Sequence, residues 1–141
     1  MNDLNDTTGP AAAPTILLYS DDVDVRSQVR LAVGRRVERG GPQITWIEAA
    51  TADEVIAQVR TAPPDLLVLD GEADKVGGMG LSRQLKEETY ECPPILALLG
   101  RPQDAWLASW SEADGAVVRP LDPVAVREAV LGLLRRGAAA R

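Results

Sequence analysis

The sequence predicts an α/β domain built around a parallel sheet. Three observations predict it. Short apolar runs recur along the chain, helical patterns fill the gaps between them, and runs such as LLVL and ILALL show no alternation of apolar and polar residues. Strands of a parallel sheet are covered on both faces and read as continuous apolar runs. Strict alternation of strands and helices is the pattern of βαβ units.

Five runs read as strands: Thr15–Ser20 (TILLYS), Gln43–Glu48 (QITWIE), Asp65–Asp70 (DLLVLD), Pro94–Leu98 (PILAL) and Gly115–Arg119 (GAVVR). They are too short for core helices, and several are rich in Ile and Val. The first helix is predicted from Val25, Val29, Val33 and Val37, an apolar stripe at every fourth residue. The second opens on Thr51-Ala-Asp-Glu54, a capping box ahead of Val55, Ile56 and Val59. Leu81 and Leu85 mark a third helix. Residues 102–112 form the fourth, with Trp106 and Trp110 one turn apart. The fifth starts at Asp122-Pro123, an N-cap followed by Pro at the first helical position, ahead of Val126, Val130 and Leu133. Residues 1–14 are polar, then Ala/Pro-rich, and are expected to form a flexible leader. The domain then covers residues 15–136, with a tail at 137–141 that resembles a frayed helix end.

Composition excludes several classes of function. A chain of 141 residues is the length of one ordinary domain. Lys and Arg total 15 against 21 Asp and Glu, a net charge of −6, whereas nucleic-acid binding calls for a clustered positive surface. The absence of His removes His-based triads, His metal sites and phosphohistidine chemistry on this chain. Cys92 is the only cysteine, so neither an intrachain disulfide nor a Cys-based zinc site can form. No apolar run is long enough to span a bilayer, and no basic residue precedes Arg26, so a secretory signal with a basic start is not expected. The expected location is the cytoplasm.

In an open parallel sheet the functional crevice lies at the carboxyl ends of the strands. Ser20-Asp21-Asp22 ends the first strand, Asp70 the third, Leu99-Gly100 the fourth and Arg119-Pro120 the fifth. Adjacent strands would gather two or three carboxylates and one cation. Gathered carboxylates repel unless a cation joins them. Oxygen donors without Cys or His favour a hard ion, with Mg²⁺ the expected occupant. A carboxylate beside Mg²⁺ and a fixed cation can accept a phosphoryl group, because those charges offset the transferring oxygens. The plainer reading is that Asp21 or Asp22 only caps the next helix, and that Asp70 before Gly71 is a turn residue.

The motifs ILLYSDD, PPDLLVLD, GMGL, PPILALL and GAVVRPLDP stand in the order, and nearly at the spacing, of response-regulator receiver domains. From about Thr15 to Leu134 the chain resembles that family, the signalling module of two-component systems. The resemblance implies a flavodoxin-like fold with strand order 2-1-3-4-5. It places Asp70 at the phosphoacceptor. Counting back from Arg26 puts Ser20 and Asp21 on the family's acidic pair; counting strand residues less strictly puts Asp21 and Asp22 there. The first is preferred, with Asp21 as the direct Mg²⁺ ligand and the Glu72 main-chain carbonyl as another.

Three positions depart from the family pattern. Leu99 stands where Thr or Ser would supply a hydroxyl to the phosphoryl group. Ala116 stands where a bulky residue would turn inward on activation. Arg119 replaces Lys as the phosphoryl partner, keeping the charge on a longer, planar group. The loop Gly71–Gly80 is also about two residues longer than usual and lacks the family's Pro; its glycines do not form a phosphate loop.

The resulting expectation is an atypical, stand-alone receiver. It would take a phosphoryl group from a histidine kinase or phosphotransfer protein and act by protein contact. The contact would use the face made by the fourth helix, fifth strand and fifth helix, with a homodimer as one form of it. The alternative is an interaction module on the same scaffold that works without phosphorylation. An enzyme using Asp70 as nucleophile ranks below both, because fold alone assigns no chemistry. At least one of Trp106 and Trp110 is expected to pack in the core, and so is Trp46. Arg35-Arg36 and Arg135-Arg136 read as solvated or dipole-pairing residues, and Cys92 as unactivated.

Overall fold

The structure is a computed structural model that describes residues 13–73 and 77–140. Five strands form one parallel sheet: β1 Thr15–Tyr19, β2 Thr45–Ala49, β3 Leu66–Asp70, β4 Ile95–Leu99 and β5 Gly115–Val118. Their order is β2-β1-β3-β4-β5, as the sequence predicted. The helices are α1 Val23–Val33, α2 Ala52–Thr61, α3 Gly77–Glu88, α4 Ala105–Trp110 and α5 Pro123–Ala140. Residues 1–12, most of the expected leader, lie outside the described residues. Helix α5 runs through residues 137–140 of the expected tail, and residue 141 lies outside the described residues.

Period-two geometry sorts the strand residues into two cores. Ile16, Leu18, Leu66 and Val68 face one side and pack with Val25, Val29 and Val33 of α1 and Val126, Val130 and Leu133 of α5. Leu17, Tyr19, Leu67 and Leu69 face the other, against Val55 and Val59 of α2 and Leu81 and Leu85 of α3. All five residues of β3, and all five of β4, are buried, which is why those runs show no alternation.

Two start signals behave as read. Thr51 Oγ1 accepts from the Glu54 N–H at 3.2 Å, and Glu54 Oε1 accepts from the Thr51 N–H at 3.0 Å. Thr51→Ala is therefore expected to lower stability by about 1 kcal/mol, read from the urea midpoint. Asp122 Oδ2 accepts from the Ala125 N–H at 2.9 Å, with Pro123 as the first residue of α5.

Several expectations need correction. The stripe through Val37 overruns α1, which stops at Val33 because Gly34 turns out of the helix at φ +86°. Val37 still packs against the core, and Arg127 of α5 holds the intervening loop by donating to the carbonyls of Val33 and Val37. Strand β2 pairs with β1 from Thr45, while Gln43 instead bridges Arg36 in the antiparallel sense. The fourth helix is shorter than 102–112: Pro102–Asp104 is a 3₁₀ turn and α4 has six residues, none buried. Trp106 and Trp110 are both exposed, at 64% and 45%, so neither fills the core. Trp46 is only partly buried, at the sheet edge, with the Arg30 guanidinium 5.9 Å from its ring centre.

Candidate functional site

Pairing of β1 with β3 sets Tyr19 opposite Leu69, which brings Ser20 beside Asp70 just past the strand end. Ser20 is fully buried and Asp70 is 2% exposed. Ser20 Oγ donates to Asp70 Oδ2 at 2.7 Å and accepts from the Asp22 N–H at 3.0 Å. On the other side Asp70 Oδ1 accepts from the Glu72 N–H at 2.9 Å. The same oxygen takes Arg119 Nη2 at 2.6 Å. Arg119 is placed by β5, whose last rung continues into an Arg119 N–H to Leu99 carbonyl bond of 2.9 Å. Both carboxylate oxygens thus have charged or hydroxyl donors, and the pair sits at the crevice end of the sheet.

The two expected acidic positions after β1 divide. Asp22 caps α1, its Oδ1 accepting from the Asp24 N–H at 2.9 Å. Its side chain is engaged in helix initiation, the plain role weighed for it. Asp21 is exposed at the mouth of the crevice, between Ser20 and that cap. An acid at position 20 would set a second carboxylate against Asp70. Ser20 supplies a hydrogen bond there instead, and among the described residues Arg119 is the cation in contact with Asp70.

Sequence reasoning used Arg26 only as a counting mark, and the structure gives it work. Its Nη1 donates to the Ser20 carbonyl at 2.6 Å, and its Nε to Glu48 Oε1 at 2.9 Å. Arg30 Nη1 reaches Glu48 Oε2 at 2.6 Å. Burial pushes the Glu48 carboxyl upward, but the hydrogen bonds from Arg26 and Arg30 outweigh it and hold the group below its ordinary range. This network pins the turn that carries Ser20 and Asp21. An Arg seven residues after the end of β1, with a Glu inside the next strand, was the available signal.

Leu99 is 2% exposed and packs with Met79 and Ala97, so an apolar contact occupies the place read as lacking a hydroxyl. Ala116 is exposed on β5, opposite Ala97. Cys92 lies away from the site at the opposite end of the sheet, and burial raises its thiol pKa, which argues against reactivity. Among the described residues no three acidic, Cys or His side chains gather as a metal cluster, and no helix is long and apolar enough to cross a membrane.

No family model matches the chain. A curated relative does. The uncharacterized response regulatory protein Rv3143 of Mycobacterium tuberculosis is 50% identical over 125 residues, covering 89% of this chain and 94% of that protein. The chain belongs to the response regulators. It is a receiver domain of two-component signalling, as the motifs implied. The alkaline phosphatase synthesis transcriptional regulatory protein PhoP of Bacillus subtilis is 29% identical over 116 residues, which cover 81% of this receiver but 47% of PhoP. The chemotaxis response regulator CheY4 of Vibrio cholerae superposes with a TM-score of 0.73 at 18% identity, over 86% of this receiver and 99% of that chain. That likeness bears on the fold alone.

Proposed function

We propose that this receiver accepts a phosphoryl group on Asp70 and reports it by protein contact. The observation that carries the reading is Asp70 itself: a nearly buried carboxylate at the crevice end of β3, held by Ser20, the Glu72 N–H and Arg119. The donor is a phosphohistidine on a histidine kinase or phosphotransfer protein in the cytoplasm. A carboxylate oxygen of Asp70 forms the new O–P bond as the N–P bond breaks. The imidazole nitrogen keeps that bonding pair and takes up a proton. Arg119 follows the charge onto the phosphoryl oxygens.

The donor set fits a hard cation. Mg²⁺ is commonly held by one or two carboxylates plus phosphate oxygens, and Asp21 and Asp70 supply two, with the Glu72 carbonyl as a third protein ligand. Bound there, the ion would offset negative charge on the phosphoryl group. Ser20 in place of an acid makes the set lean, so binding is expected to be weak. The output surface is the α4–β5–α5 face, where Trp106 is exposed on a helix with no buried residue, while Trp110, also exposed, carries the Arg83 guanidinium of α3 4.8 Å from its ring centre. Exposed Trp is a favoured anchor for a partner or a second copy of the chain.

One observation favours the second reading, a module that binds its partner without phosphorylation. Leu99 is locked in an apolar cluster and Ala116 is too small to report by turning, so the usual two reporters are missing. Amide NMR separates the readings. The receiver is recorded alone, with Mg²⁺, and with Mg²⁺ and beryllofluoride. Shifts around Asp21, Asp70 and Glu72 that spread to α4 and β5 are expected. Shifts confined to the pocket would describe a site that binds without signalling. No shift with either addition would overturn the proposal in favour of the constitutive module.

A further inference from the structure

Trp46, partly buried at the edge of the sheet, opens onto a groove of about 790 Å³. Its walls come from the C-terminal half of α1 and the start of β2, with Arg30, Leu31, Arg35, Gln43 and Ile44 beside the indole. β2 only begins at Thr45, so the groove lies toward the end of the sheet away from Asp70. Leu31 is 83% exposed, and the Arg30 guanidinium stands 5.9 Å from the Trp46 ring centre. The backbone at Arg35 is fixed. Its carbonyl accepts from the Ile44 N–H at 2.7 Å, Arg36 bridges Gln43, and Arg36 Nε donates to the Gly41 carbonyl at 2.8 Å. Arg30 pairs with Glu48 at 2.6 Å, whereas Arg35 is exposed and forms no ion pair among the described residues.

Charge singles out this edge of an acidic protein. Residues 26–48 carry five Arg against two Glu, while the rest of the chain carries ten Lys and Arg against nineteen acids. β2 is also the edge strand of the sheet, and among the described residues no strand pairs with its outer side. Such an edge offers backbone N–H and C=O groups to an extended chain. We propose that the α1–β2 groove binds an acidic peptide segment of a partner protein, with a carboxylate on Arg35 and an apolar side chain against Leu31 and Trp46. A nucleic acid would run its phosphates past the acidic remainder of the chain, where repulsion opposes binding. A short peptide avoids that repulsion and supplies the apolar contact. The fixed backbone at Arg35 lowers the ordering cost of binding. The groove is separate from the α4–β5–α5 face, and its use does not depend on Asp70 being a phosphoacceptor.

Titration of the full chain with the peptide Asp-Glu-Leu-Asp-Glu, followed by amide NMR, tests it. Saturable shifts are expected for the amides of Arg35, Gln43 and Ile44 and for the Trp46 indole N–H, half-complete at about 1 mM. The amides around Asp70 should stay in place. The same peptide with Ser for Leu should bind severalfold more weakly. With Lys for every acid it should leave the groove signals unmoved. Arg35→Glu changes an exposed side chain and should weaken binding of the acidic peptide about fivefold. No saturable shift by about 10 mM, or equal shifts from the acidic and the Lys peptides, would overturn the proposal. A short single-stranded oligonucleotide that moves the same signals at lower concentration would make the ligand a nucleic acid and overturn it too. So would Asp3→Asn/Asp6→Asn in the full chain, if without peptide it moves those signals, because the chain's own start would then be the occupant.

Discussion

Asp70→Asn is expected to reduce phosphoryl uptake from acetyl phosphate to background while leaving the domain folded. The amide oxygen is no nucleophile, so no aspartyl phosphate can form. The fold survives because the hydrogen bonds have substitutes. The Asn Oδ1 can still accept from the Glu72 N–H and from Arg119. Ser20 Oγ, which donates to Asp70 at 2.7 Å, can rotate and accept from the new amide N–H₂. What is lost is the charge pairing. Arg119 is 26% exposed, so water compensates part of that loss, and a cost of about 1 kcal/mol is expected. Intact-mass measurement reads the uptake, and urea unfolding reads the stability. The variant also separates the two functional readings in the cell. Loss of the cellular role supports the phospho-receiver, and an unchanged role supports the constitutive module.

Arg119→Ala is expected to be the more damaging change to stability. Among the described residues it leaves the Asp70 carboxylate, 2% exposed, with no cation in contact. Breaking a fully buried ion pair by removing one partner costs roughly 3–5 kcal/mol. The guanidinium here is partly solvated, so the expected cost is about 2–3 kcal/mol. For a domain of this length that is a fall in Tm of about 5–10 °C. The double variant Asp70→Asn/Arg119→Ala should recover much of the loss, since no unpaired charge remains. A double-mutant cycle by urea unfolding measures the difference. Purely additive losses would show that the 2.6 Å contact carries no coupling. Arg119→Lys should fall between the two, because it keeps the charge but not the planar fork.

Much of the domain was legible because its signals are local. The capping box at Thr51 and Glu54 and the Asp122-Pro123 start depend on residues within one turn of each other. The apolar runs depend only on burial of a strand's two faces, and β3 and β4 meet that condition fully. Errors came where one residue's backbone or solvent exposure overrode a pattern. The valine stripe continued past Gly34, but a left-handed turn there ended the helix. Trp106 and Trp110 have the spacing of a buried face, yet α4 is too short and too peripheral to bury either.

The sequence by itself determined that five strands and five helices alternate, where most of them start, and that an acid closes the third strand. The tertiary structure decided what that acid meets. Ser20 and Arg119 lie 50 and 49 residues from Asp70 along the chain. Only the register of β1 against β3, and of β4 against β5, carries them to it. It likewise gave Asp22 to a helix cap and seated Glu72 in the space that Gly100 leaves open. Caps and apolar runs are short-range preferences that a linear reading can weigh. Which side chain reaches a carboxylate first is set by strand register and by a few ångströms of free space, and those exist only once the chain has folded.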